Sequence, residues 1–109
     1  MANTFKLATD TAVGTSAATI YTTPSATATT VIGMTIANIV TSQIEVDVQV
    51  TNNDGDNVYV IKNAPIPVGS SLVVIGGEQK VVLEASDTIT VTSNTASSAD
   101  VALSILEIS

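Results

Sequence analysis

The chain has 109 residues, with ten acids set against three lysines and a formal net charge of −7. That length makes one domain, and that charge excludes the Lys/Arg-rich surfaces that hold nucleic-acid phosphates or an anionic membrane. With no cysteine and no histidine, disulfides, thiolate nucleophiles, Cys-based zinc sites and His-dependent catalytic triads are all excluded.

Charged residues make up only 12% of the chain, against about 25% in an average soluble domain. Thr, Ser, Asn, Ala and some aliphatic side chains must therefore cover the surface. Mean hydropathy is positive, which points to surface buried against other copies or partners. One Phe, two Tyr and no Trp leave aliphatic residues to build the core. The β-branched types Val, Ile and Thr, which suit a pleated sheet, dominate.

In chain order, the start (MANTFKLATD) lacks a basic region followed by an apolar core, so it does not read as a secretory signal. Residues 4–9 (TFKLAT) form a short strand or arm with Phe5 and Leu7 on one side and Thr4 and Lys6 on the other. A loop of small residues, 10–16, follows. Ala18–Thr22 is a second strand, stopped by Pro24. Residues 29–39 (TTVIGMTIANI) form the longest apolar strand, with Ile32, Met34 and Ile36 expected on one face and Val31, Gly33, Thr35 and Ala37 on the other. Ile44–Thr51 (IEVDVQVT) alternates cleanly: Ile44, Val46, Val48 and Val50 against Glu45, Asp47, Gln49 and Thr51. That pattern is an antiparallel strand with one face in the core and one in water.

Residues 52–57 (NNDGDN) turn the chain into a strand over 58–62, Asp-Gly suiting a type I′ turn or a bulged hairpin. Pro65 and Pro67 mark an edge or a crossover. Strands follow at 72–75, 79–83, 88–93 and 101–108, separated by Gly76-Gly77-Glu78, by 84–87 and by 94–99. In the last strand Val101, Leu103 and Ile105 alternate, and then Leu106 and Ile108 break phase, which implies a bulge or two buried faces. Short strands at this spacing, with turn chemistry between them, predict an all-β, antiparallel β-sandwich of about eight strands, of jelly-roll or Ig-like Greek-key type. The whole chain, 1–109, is one such domain, with 1–16 as an N-terminal arm that reaches a neighbour's sheet edge or, alternatively, as an edge strand of its own sheet.

Little in the chain reads as chemistry. Asp54/Asp56 and Glu84/Asp87 are carboxylate pairs close in sequence, but a glycosidase also needs an aromatic-lined cleft, and turn residues account for them. No phosphate-binding glycine motif occurs, so no enzyme activity and no cofactor are expected. Clustered Asp and Asn oxygens on a Gly-containing loop make Asp54 and Asp56 the one weak calcium candidate, without the spacing or closing Glu of an EF-hand. Phe5, Leu7, Tyr21 and Tyr59 are the candidate contact residues.

Three segments, TTVIGMTIANI, YVIKNAPIPVGSSLVVIGG and KVVLEASDTITVTSNTASSADVALSILEIS, together carry a resemblance. They resemble small virion structural proteins of tailed bacteriophages, of the marine and cyanobacterial phage type. Those chains run from an apolar strand ending in Asn, through a Pro-x-Pro-x-Gly crossover and Lys-x-x-Leu-Glu-x-Gly-Asp, to a strand closing in Glu-Ile. Ser86 departs from that pattern at the Gly position, which puts a positive-φ turn there in doubt. The resemblance implies a non-enzymatic particle component made in the host cytoplasm: a head decoration or cement protein, or alternatively a neck, tail-ring or tail-fibre-associated subunit. Its implied partners are the major capsid protein or neck and tail subunits, with the chain itself a homo-oligomer, a trimer or ring. A receptor- or carbohydrate-binding module is the competing class, and the shortage of aromatics weighs against it.

Overall fold

The computed structural model describes residues 2–76 and 80–109. The turn expected at Gly76-Gly77-Glu78 and the expected strand start at Gln79 fall largely outside the described residues. The chain forms nine described strands: β1 (Asn3–Val13), β2 (Ala18–Thr22), β3 (Ala28–Asn38), β4 (Ile44–Thr51), β5 (Asn57–Ile66), β6 (Ser71–Ile75), β7 (Val81–Leu83), β8 (Thr88–Ser93) and β9 (Ala99–Ile108).

They build two antiparallel sheets, one ordered β1-β9-β3-β6 with β7 also on β3, the other ordered β2-β8-β4-β5. The pairing is nested. β1 pairs with β9 and β2 with β8, near the two chain ends, while β3 pairs with β6 and β4 with β5 further in. Such nesting is the jelly-roll topology and decides between the two sandwich types left open by the sequence. β9 holds the opposite side of β3, so β7 and β6 lie end to end along its remaining edge, at Thr29–Val31 and Met34–Ala37.

The core between the sheets is aliphatic. Val31, Met34, Ile36, Ile44, Val46, Val48, Ile66, Leu83, Ile89, Val91, Leu103 and Ile105 are all buried there. β4 follows its sequence pattern: Ile44, Val46 and Val48 are inside, Glu45 is in water and Asp47 is half-exposed. The Asp47 carboxylate accepts the Asn63 N–H at 2.7 Å, which fixes β5 where Asn63 takes a left-handed φ of 54°. β5 is the sheet edge that Pro65 requires, and it opposes Glu45 there.

β3 and β9 depart from the expected phases for two different reasons. The register of β3 against β9 shifts between Val31 and Gly33, so Ile32 is an extra residue, the mark of a β-bulge. Val31 therefore joins Met34 and Ile36 in the core, and Ile32 turns to the outer face, half-buried. β9 itself keeps a continuous register with β1 from Asn3↔Ile108 to Asp10↔Val101. Its inner row runs Val101, Leu103, Ile105 and then Glu107, while Leu106 and Ile108 stay on the outer row, half-buried. The apparent slip in sequence is a carboxylate occupying an inner position.

The N-terminal segment is not a free arm. From Asn3 it is the edge strand of its own sheet, and Ala2 and Ser109 exchange backbone hydrogen bonds of 2.7 and 3.0 Å. β9 is apolar on its inner row and would be a bare edge without it; β1 satisfies those backbone groups.

Val48 is fully buried and sits opposite Val91 and Ile61. Val48→Ala should destabilise the domain by about 1–3 kcal/mol through lost burial and a cavity. Thermal or urea unfolding checks this, and a midpoint equal to wild type would contradict the core assignment.

Candidate functional site

Three of the polar clusters among the described residues contain acidic side chains where elements meet. The first is the β4–β5 hairpin loop. The Gly55 N–H donates to the Asn52 carbonyl and the Asn52 N–H to the Asp56 carbonyl, both at 2.8 Å. The Asn52 side chain accepts the Asp54 N–H at 2.9 Å. Only Gly55, at φ 98°, is left-handed in this loop, so the turn is the bulged form and not type I′, which needs two such residues. Asp54 and Asp56, the calcium candidates, are exposed, and among the described residues no group of three or more acidic side chains converges. The Asn52 oxygens already serve the loop's own amides.

The second cluster centres on Asp87, which is buried. Its two carboxylate oxygens accept the N–H of Asn53 at 2.8 Å and of Glu84 at 2.9 Å. The Thr23 N–H donates to the Asp87 carbonyl, and the Ser86 N–H donates to the Thr23 carbonyl. The Asp87 carboxylate thus ties the hairpin loop to the β7–β8 turn, and its backbone carbonyl ties that turn to the residue after β2. Asp87 is engaged by backbone donors on both oxygens and does not act as half of a carboxylate pair with the exposed Glu84. The turn keeps positive φ although Ser86 replaces the expected Gly: Ser86 sits at φ 72°. An L-residue there is strained.

The third cluster was not read from the sequence. Glu107, in the inner row of β9, is only 8% exposed. Its Oε2 accepts the Tyr21 hydroxyl at 2.5 Å, and its Oε1 meets the Lys6 Nζ at 3.0 Å. The Tyr21 oxygen is also 2.9 Å from the Thr29 Oγ1. Since the tyrosyl proton points to the carboxylate, the Thr29 hydroxyl donates to Tyr21. β2 of one sheet is thereby joined to β1, β3 and β9 of the other. The Tyr21 hydrogen bond, and then Lys6, hold the Glu107 carboxyl below its ordinary value of 4.5, against the opposing effect of burial. Burial, and then the Glu107 hydrogen bond, push the Tyr21 hydroxyl up to about 12. This is a structural clamp: both acidic oxygens are occupied, and no cavity opens beside it among the described residues.

Of the expected contact residues, Tyr21 packs partly against the core and spends its hydroxyl in this clamp. Tyr59 lies exposed on β5 with the Lys62 Nζ 4.9 Å from its ring centre. Phe5 and Leu7 are 75% and 67% exposed on the outer face of β1. Asn38, where the apolar strand ends, is buried: its amide donates to the Ser42 and Ile66 carbonyls at 2.8 and 2.9 Å, and its oxygen accepts the Val40 N–H at 2.9 Å. Only Asn carries both donors and an acceptor on so short a side chain.

Comparison with solved structures extends the fold. The chain is similar to a protein of the Bacillus endospore appendages, described as a novel family of disulfide-linked pili, at a TM-score of 0.60 and 15% identity over 99% of this chain and 87% of that one. Weaker likenesses are to infectious bursal disease virus, Gt and Gx strains, at TM-scores of 0.49 and 0.47, 11% and 10% identity, covering 94% of this chain and 32% of those chains. The first of these is a likeness of fold. No family model and no curated protein matches the sequence.

Two measurements test the clusters. Ser86→Gly should stabilise the domain by about 0.5–1 kcal/mol, since Gly accepts the left-handed φ without strain. A lower melting temperature for Ser86→Gly would sink the strain account. For the clamp, a depressed folded-state pKa means that Glu107 contributes stability above its ordinary value of 4.5 and loses it as pH falls through the folded value. Tyr21, raised, contributes below 10.0 and loses that contribution as pH rises towards about 12. Glu107→Gln should flatten the acid limb of the stability–pH curve. An unchanged acid limb would remove the clamp from the account.

Proposed function

We propose that this chain is a non-enzymatic structural subunit of a self-assembling body. The observation that carries the reading is its surface. Four large apolar side chains of the sheet that contains β1 stand in water, Phe5, Leu7, Val73 and Val82, at 63–75% exposure. Buried carboxylates that in another setting would suggest catalysis are consumed by structural hydrogen bonds instead. A jelly-roll sandwich with apolar surface and occupied acids fits a building block.

The finer reading is a bacteriophage particle, with the chain as a head decoration protein and a neck or tail-ring position as the alternative. The ordered set of sequence segments supports it. The fold likeness to a pilus-forming protein supports assembly as such, since that protein builds a filament. Its linkage by disulfides does not transfer, because this chain has no cysteine; contacts between copies here would be non-covalent.

Sedimentation velocity from roughly 1 to 100 µM tests the assembly reading, and a species above the 11.1 kDa monomer is expected. A monomer across that range would contradict it. Mass spectrometry of purified phage particles tests the finer reading, which predicts the chain as a stoichiometric component.

A further inference from the structure

The outer face of the sheet β1-β9-β3-β6/β7 can be mapped residue by residue from its register. One row of directly opposed residues runs Phe5, Leu106, Thr30, Val82 across four strands. The next runs Leu7, Ser104, Gly33, with bulged Ile32 beside it, and the third runs Thr9, Ala102, Thr35, Val73. A fourth, Asn3, Ile108, Ala28, closes the end. No residue of these rows is charged. Among the described residues, the adjoining row Asp100, Ala37, Ser71 brings in one acid, whose carboxylate accepts the Ala12 N–H at 3.0 Å, and Lys80 stands just before β7.

Of the acids of this −7 chain, Glu107 and Asp10 are on the inward side of this sheet, and several others lie on the far side of the sandwich. Glu45 and Asp47 are on the outward side of β4 in the other sheet, and Asp54 and Asp56 are in its hairpin loop. Any two copies repel at long range. Contact through the uncharged rows keeps Glu45, Asp47 and the hairpin acids of the two copies apart on opposite outsides, with Lys62 the one cation beside them on β5. A basic partner, in contrast, would be drawn to the β4 face and not to this one.

The area is sufficient. Four strands about 4.8 Å apart and about eight residues long, at about 3.3 Å each, present about 500 Å² per copy. Two copies then bury about 1,000 Å², the threshold for a specific interface.

We propose that this uncharged face docks on the same face of a second copy, sheet on sheet, about a two-fold axis. The inference rests on the assembly reading and names its contact surface. A two-fold contact is self-complementary, so residues near its centre meet their own copies. Ser104 and Gly33 occupy that centre and leave a shallow floor, while Phe5 and Val82 rise at the two ends of the neighbouring row.

The test uses the full chain and two pairs of variants. Phe5→Asp with Val82→Asp charges the face. Val58→Asp, on exposed β5 of the other sheet, is the control. Sedimentation should give a dimer for wild type and for Val58→Asp, and a shift to monomer for the face variant, with association weakened at least about tenfold. A cooperative melt for each variant confirms folding. The absence of native cysteine permits a second readout: Ser104→Cys should cross-link to dimer under mild oxidation, whereas Glu45→Cys should not. Wild type that associates while the face variant associates equally, or Glu45→Cys that cross-links in place of Ser104→Cys, would overturn this inference and leave the assembly reading standing. Wild type that never associates would overturn both.

Discussion

The structure depends on β9 lying between β1 and β3. Ten residues of one strand, Ala99–Ile108, supply a backbone ladder on both edges and two different rows of side chains. The inner row, Val101, Leu103 and Ile105, fills the core against the second sheet. The outer row, Ala102, Ser104, Leu106 and Ile108, is the middle of an uncharged surface. β-pairing sets both at once, because successive residues of a strand point to opposite faces. A one-residue slip would exchange the rows and put Glu107 outside and Leu106 inside.

That constraint explains where the few charges sit. A chain with so little charge cannot cover every face with it. β4 carries Glu45 and Asp47 outward, and among the described outward residues of the sheet containing β9 the one acid is Asp100, at the start of that strand. The single acid in the inner row, Glu107, stands at the strand's end, where Lys6 and Tyr21 reach it from two strands of opposite sheets. Burying a carboxylate is costly unless it is paired and hydrogen-bonded, and here both oxygens have partners. The return is geometric: the cluster couples the two sheets near the end of β9.

The sequence made the sandwich legible because most strands are short, β-branched and bounded by turn residues. β4 was the clearest case, since its period of two coincides with one buried and one solvated face. β3 misled because the bulge at Ile32 adds a residue that no periodicity reveals; Gly33 next to it was the available hint. β1 misled for a different reason. Its apolar residues, Phe5 and Leu7, face outward, and its inward residues include Lys6 and Ala8, a pattern that a docking arm would share, so only its pairing with β9 discloses the edge strand. The Tyr21–Glu107 contact joins residues 86 apart in sequence, and only the inner register of β9 would have disclosed it. Ser86 read as a departure from a glycine turn, yet the Asp87 carboxylate and the Thr23 backbone hold that turn in its left-handed form.

On the proposed contact the two outer faces differ in role: the β4 face, with Glu45, Asp47 and Lys62, meets water, and the β1-β9-β3 face, charged only at Asp100 among its described outward residues, meets a copy of itself. A reconstruction of the assembled form by electron cryomicroscopy tests it most directly. The account predicts β1, β9 and β3 of one copy packed on the same strands of another, with Glu45 and Asp47 in solvent. An assembly that buries the β4 face and leaves Phe5, Leu7 and Val82 in water would contradict it.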